Sequence, residues 1–230
     1  MTKITATYMN HMGNDLTVAN AARVSFAKKS EMEDDPWGPP KLKAKDAKLI
    51  RYLAKHKHIS PFGHCFASFH VKAPIFVARQ LVKHKFLRWN EISRRYVDDE
   101  PEFYEPDVWR GRSSDKKQGS SGEVEIRGDS FGVGYEPWWG DGSLQDTTLN
   151  IYKDLLEQGV CPEQARMVLP QSTMTEWYWS GSLDAFADMC NLRCKPDTQA
   201  ETREVAKQID HKMIELFPVS WDALTENDDG

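Results

Sequence analysis

The stretch HCFASFHVKAPIFVARQLVKHKF, residues 64–86, changes its periodicity across a single proline. Its first ten residues alternate, with Cys65, Ala67, Phe69 and Val71 on one face and His64, Phe66, Ser68 and His70 on the other, as a half-buried strand requires. Pro74 then suits the first turn of a helix, and IFVARQLVKHKF continues with Ile75, Ala78 and Val82 along one stripe. A strand that leads directly into a helix, each with one apolar face, predicts an α+β fold.

The flanking segments extend this pattern. Residues 17–27 (TVANAARVSFA) are small, apolar and ordered, and give way to a charged, proline-rich loop at 28–43. DAKLIRYLAKH (46–56) sets Leu49, Ile50 and Leu53 at helical spacing. Beyond the centre, DTTLNIYKDLLEQ (146–158) has Leu149, Tyr152 and Leu156 on one side and Gly159 as its stop, and Pro162 opens a further helix. STMTEWYW (172–179) is β-prone. Ser182 is an N-cap for LDAFADMCNL, and Thr198 with Glu201 makes a capping-box pattern before TREVAKQIDHKMIELF. Residues 107–145 differ from the rest: RGRSSDKKQGSSGEVEIRGDSFGVGYEPWWGDGS (110–143) is rich in Gly, Ser and charge and reads as an inserted, hairpin-like arm, anchored by Trp138 and Trp139. With no internal repeat and no clear linker, residues 1–230 are expected to form one domain.

Composition narrows the function classes. The 230 residues are 40% hydrophobic with a formal net charge of −5, and the sequence pI is ≈ 5.8, which argues against general nucleic-acid coating. No run approaches a membrane span, and the start MTKITATYMNHMGND lacks the apolar core of a signal peptide, so a cytoplasmic protein is expected. Cys65, Cys161, Cys190 and Cys194 form no CxxC pair and read as reduced, small hydrophobic residues rather than as nucleophiles. The histidines 56, 58, 64 and 70 with Cys65 match no zinc spacing, so no metal is expected there.

Against this acidic background, LVKHKFLRWNEISRRY (81–96) concentrates Lys83, Lys85, Arg88, Arg94 and Arg95 beside His84, Asn90, Glu91 and Ser93. Such a mixture of forks, point charges and hydrogen-bonding groups suits phosphate, although a solvated basic surface fits the charge pattern equally.

The order of residues in that segment resembles the signature of flavin-dependent thymidylate synthases, Arg-His-Arg followed after seven or eight residues by Ser. Lys83-His84-Lys85 is followed by Ser93, with Asn90-Glu91 and Arg95-Tyr96 in the family's places. NAARVSF (20–26), SPFGH (60–64), FHVKAPIFVARQ (69–80), ARMVLP (165–170) and NLR (191–193) continue the similarity in order. The resemblance implies a single α+β domain with a central antiparallel or mixed sheet flanked by helices, assembled as a homotetramer. It implies transfer of a methylene from methylenetetrahydrofolate to dUMP, with reduction by an FAD that NADPH recharges and no cysteine nucleophile.

By position, Arg193 would stabilise the ionised uracil and His58 would lie near the flavin, as the catalytic pair. Arg79, Gln80, Glu91, Ser93, Arg94, Arg95 and Arg166 would bind substrate; Ser60, Lys83, His84, Lys85, Glu91, Ser182 and Asp188 would bind cofactor. Two departures stand out. Lysines replace the signature arginines at 83 and 85, losing the planar fork. Ser182, Asp184 and Asp188 stand where the family commonly has Asn, Arg and Asn, so two acids replace a cationic partner for the FAD diphosphate. The alternatives are a pyrimidine nucleotide hydroxymethylase, or a nucleotide- or single-strand-binding protein of the same fold without turnover.

Overall fold

In a computed structural model, which describes residues 3–97, 99–114, 120–124 and 144–225, the chain begins β1 (Thr5–Met12), α1 (Asp15–Arg23), α2 (Ala44–Lys55), β2 (Phe66–Pro74), α3 (Ile75–Leu81) and β3 (Arg88–Glu91). It continues through β4 (Arg110–Arg112), β5 (Ser120–Glu123), α4 (Leu144–Glu157), α5 (Pro162–Ala165), β6 (Met174–Ser182), α6 (Leu183–Arg193), α7 (Ala200–Leu216) and α8 (Pro218–Thr225). The main sheet has the order β1-β2-β6-β3 with every neighbour antiparallel, and β4 pairs with β5 apart from it.

The alternation around residue 64 becomes the sheet's two faces. Ala67, Phe69, Val71 and Ala73 of β2 are buried, as are Thr175, Trp177 and Trp179 of β6, under a layer of helices. His70, Lys72, Glu176 and Tyr178 occupy the other face, where His70 pairs with Glu176 at 3.1 Å and Lys72 with Glu102 at 2.8 Å. Trp177 stacks on Trp89 of β3 (centroids 4.3 Å apart), and Phe186 of α6 meets Phe69 and Trp179 edge-on. Leu183, Phe186 and Met189 of α6 and Val205, Ile209 and Met213 of α7 complete this core, whose burial is the main force holding helix to sheet.

Several expectations need correction. The helix after Pro74 stops at Leu81 rather than running to Phe86, and its buried positions are Val77, Ala78 and Leu81, while Val82 is exposed. The chain turns because Leu87 must return to β6: His84 N–H bonds Leu81 O, Leu87 N–H bonds His84 O, and the turn lies so close to β6 that a Cβ on Gly181 would sit 2.5 Å from Leu87 Cδ2. The Thr198–Glu201 capping box does not form. Gln199 is the N-cap residue of α7, Thr198 donates its hydroxyl to Leu192 O (3.1 Å), and Glu201 is drawn to Arg110. Ser182 does precede α6, but its hydroxyl makes no cap bond. Part of the arm forms the β4–β5 pair; Trp138 and Trp139 lie outside the described residues.

Candidate active site

The C-terminal end of α6 delivers Arg193 to the turn that follows α3. Its Nε–H donates to His84 Nε2 at 3.2 Å and its Nη2 to Gln80 O at 3.4 Å. His84 therefore acts as acceptor at Nε2 and carries its proton on Nδ1. Burial, and then the Arg193 charge, push His84 down to about 4, so the ring is neutral near pH 7. Gln80 is fixed from α7: its amide donates to the Gln199 side chain, and Thr202 Oγ1 donates to Gln80 Oε1 at 3.2 Å. The result is a half-buried guanidinium held in place by uncharged partners. An oriented cation of this kind favours an anion in front of it.

A second group lies across the β3–β6 pairing. Glu91 Oε1 accepts from Thr175 Oγ1 (2.7 Å) and Oε2 from Trp89 Nε1 (3.0 Å), which fixes the carboxylate at the sheet edge. Immediately after β3, Ser93 Oγ accepts from Arg95 Nε (3.1 Å), and the Arg95 guanidinium lies 4.8 Å from the centre of the Tyr96 ring. Arg94 donates to Asp99 O at 2.8 Å. Lys83, Lys85 and Arg79 are exposed.

The opposite end of α6 is acidic. The turn at 60–63 lies against it, with a Cβ on Gly63 at van der Waals distance, 4.0 Å, from Asp184 Oδ1, an oxygen that is buried and has no hydrogen-bond partner among the described residues. Asp188 follows one turn later, its carboxyl raised by burial and then by the Asp184 charge. Ser60 is exposed on the turn, and exposed His58 lies beside the rings of Tyr52 and His56.

The structure thus joins Gln80, His84 and Arg193 in one cluster and seats Glu91 and Ser93 along β3 and its exit. Arg166 bonds Glu163 O (3.2 Å) within its own turn, and among the described residues no hydrogen bond or ion pair ties Arg79, Arg94, Arg95 or Arg166 to the Arg193 cluster. Sequence reasoning missed Gln199, Thr202 and Thr175. Thr202 lies in the first turn of the amphipathic α7 and reads as a helix-start residue, whereas Thr175 meets Glu91 only through strand register. Of the cysteines, Cys65 is buried against Asn14 O and pushed up to about 11 by burial, then by the charge of Asp15, which leaves it a protonated core residue near pH 7.

Comparison with known proteins identifies the family. Residues 7–219 match the thymidylate synthase complementing protein family. A flavin-dependent thymidylate synthase of Thermus thermophilus is 37% identical over 219 residues, covering 95% of this chain and 74% of that protein. One of Thermosipho africanus is 36% identical over 213 residues, covering 93% and 87%. Among solved structures, the UMP/dUMP methylase PolB of Streptomyces cacaoi with bound 5-Br dUMP superposes with a TM-score of 0.75 at 29% identity, covering 97% of this chain and 95% of that one.

Proposed function

This chain belongs to the thymidylate synthase complementing protein family, as a flavin-dependent methyltransferase acting on dUMP, and from that premise we propose how its own residues do the work. Methylenetetrahydrofolate would donate the carbon and NADPH would recharge the flavin. The observation that carries the assignment of roles is the Arg193–His84 contact, which joins the end of α6 to the basic segment.

In this reading Arg193 faces the uracil. Its fixed charge favours the base ionised at N3, and the electron density pushed toward C5 lets that carbon attack the methylene carbon without a cysteine. His84, held neutral, adds no second positive charge beside it and keeps the guanidinium aligned. Gln80, anchored by Gln199 and Thr202, offers an amide to the base; Ser93, Arg94, Arg95 and Arg166, with Arg79 nearby, bind phosphate and sugar.

The flavin fits one side of this site better than the other. Lys83 and Lys85 on the exposed turn, with His84, Ser60 and the anchored Glu91, suit an anionic, hydrogen-bonding cofactor. Ser182, Asp184 and Asp188 do not suit a diphosphate, since Asp184 already has a buried, unpartnered oxygen. When bound, the reduced flavin supplies the hydride that completes the methyl group. His58 would then help orient flavin or folate.

That no hydrogen bond or ion pair among the described residues ties Arg94, Arg95 or Arg166 to the Arg193 cluster fits a site completed by a second copy of the chain in a homotetramer. Exposed Phe86 (78%) and Met167 (77%), beside the basic turn and Arg166, supply apolar surface for such contacts. The acidic end of α6 favours a second reading, nucleotide binding without turnover. The test is to incubate purified protein with FAD, dUMP, methylenetetrahydrofolate and NADPH and to weigh the product by mass spectrometry. The expected product is dTMP; a hydroxymethyl product or tight dUMP binding without turnover overturns the assignment in favour of the corresponding alternative.

A further inference from the structure

Away from these residues, the last turn of α6 packs on α7 and α8 around a cavity of ≈ 350 Å³, lined in part by Cys190, Cys194, Asp210 and Lys195. Cys190 and Cys194 are four residues apart and share one face of the helix end. Their sulfurs and a carboxylate oxygen of Asp210 all lie within 4.8 Å of one another, the one such group of possible ligands among the described residues. We propose that Cys190, Cys194 and Asp210 form a binding site for a soft divalent cation of the zinc class, with a fourth position open to the cavity.

Four features support this. Two thiolates and one carboxylate are a donor set that zinc accepts with tetrahedral geometry, and three protein ligands with an open position is a recognised zinc arrangement. Closing the site needs little movement: sulfurs bound at about 2.3 Å in a tetrahedron lie about 3.8 Å apart, roughly 1 Å inside the present limit. Asp210 is oriented from outside the ligand set, because the Trp221 Nε1–H donates to its Oδ1 at 2.8 Å. The ligands would carry three negative charges against the cation's two, and Lys195 on the cavity wall and Lys207 beside Cys194 offset the remainder. On binding, each S–H gives its proton to solvent as the sulfur–metal bond forms, so no oxidant is required.

The test uses the metal-free full chain, kept reduced and titrated with Cd²⁺ while the ultraviolet thiolate-to-cadmium absorption is followed. The band is expected to saturate at one Cd²⁺ per chain and to be displaced by Zn²⁺. Cys194→Ser should lose the two-thiolate band, whereas exposed Cys161→Ser should leave it intact. Asp210→Asn, which keeps an acceptor for Trp221, should weaken binding by at least the ~10-fold that even an outer-shell partner is worth. Absence of a band, or a band and affinity unchanged in Cys194→Ser, overturns the site. Should Cys194→Ser fail to fold, Asp210→Asn decides, and unchanged affinity there overturns it equally.

Discussion

The two ends of α6 carry opposite charge and have opposite relations to the family pattern. At the C-terminal end Arg193, in the sequence position of the family arginine, is bonded to His84 and Gln80; Asp184 in the first turn and Asp188 one turn further on stand where the pattern has an arginine and an asparagine. The helix itself tolerates both. Its macrodipole favours a cation near the last carbonyls and an anion in the first turn, by roughly 0.3–1 kcal/mol each. The family-typical arginine near the first turn would work against that dipole, so only a bound anion such as a phosphate would justify it. Helix stability therefore explains why an acid can stand at Asp184, in the first turn, and flavin binding is what it puts at stake.

The largest effect should follow Arg193→Ala. Loss of an oriented donor that acts on developing negative charge typically lowers kcat by about 10²–10³-fold, and the KM for dUMP should change far less. Steady-state kinetics separate the two; an equal change in both would make Arg193 a binding residue. In the same variant the His84 resonance should titrate above its present value of about 4, because one of the two causes that depress it, the Arg193 charge, is gone. An unmoved titration would break the pairing on which the C-terminal end is built.

A smaller change is expected at the other end. Asp184→Asn removes one negative charge and should tighten flavin binding about tenfold, the equivalent of one charge-assisted interaction of about 1.4 kcal/mol. Titration followed by flavin fluorescence reads it directly. Unchanged affinity would mean that the N-terminal end of α6 does not face the cofactor. Thr202→Val is smaller again: it deletes the hydroxyl that holds Gln80 Oε1, and a loss of about 1 kcal/mol should raise the KM for dUMP about fivefold with kcat largely kept.

How much of this was legible in the sequence depends on whether the signal was local. Alternation at 64–73 marked β2 and the stripe at Ile50 and Leu53 marked α2, because one buried face imposes a period that can be read directly, while aromatic, β-prone composition at 172–179 marked β6. β1 and β3 went unread. β1 is largely exposed, and β3 is a four-residue edge strand within a charged segment, ordered by Trp89 stacking on Trp177 far along the chain. In the site, Gln80, His84 and Arg193 could be named by position, yet their mutual contact spans more than a hundred residues and emerges only when α6 returns to the turn after α3. The failed capping box has the same origin: Glu201 satisfies Arg110 instead of the helix start.

The smallest effect is in stability, where the two ends of α6 should respond to pH in opposite senses. His84 is a base whose folded value, about 4, lies below its ordinary 6.5, so the native state resists its protonation. Its contribution is intact above about pH 6.5 and is lost as pH falls toward 4, because the unfolded chain takes up the proton first. For a half-buried ring, screening keeps the loss to about 1 kcal/mol. Asp188 is an acid raised above 3.8 by burial and by Asp184, so its contribution is intact below that value and is lost as pH rises through the raised one. Urea unfolding across this range should therefore show a steeper acid loss in Asp184→Asn, which lowers Asp188 toward its ordinary value and removes the part that offsets His84. Arg193→Ala should flatten the acid loss, since it removes one of the two causes that hold His84 down. If the variants gave parallel pH curves, neither end of α6 would be coupled to its neighbours as the contacts require.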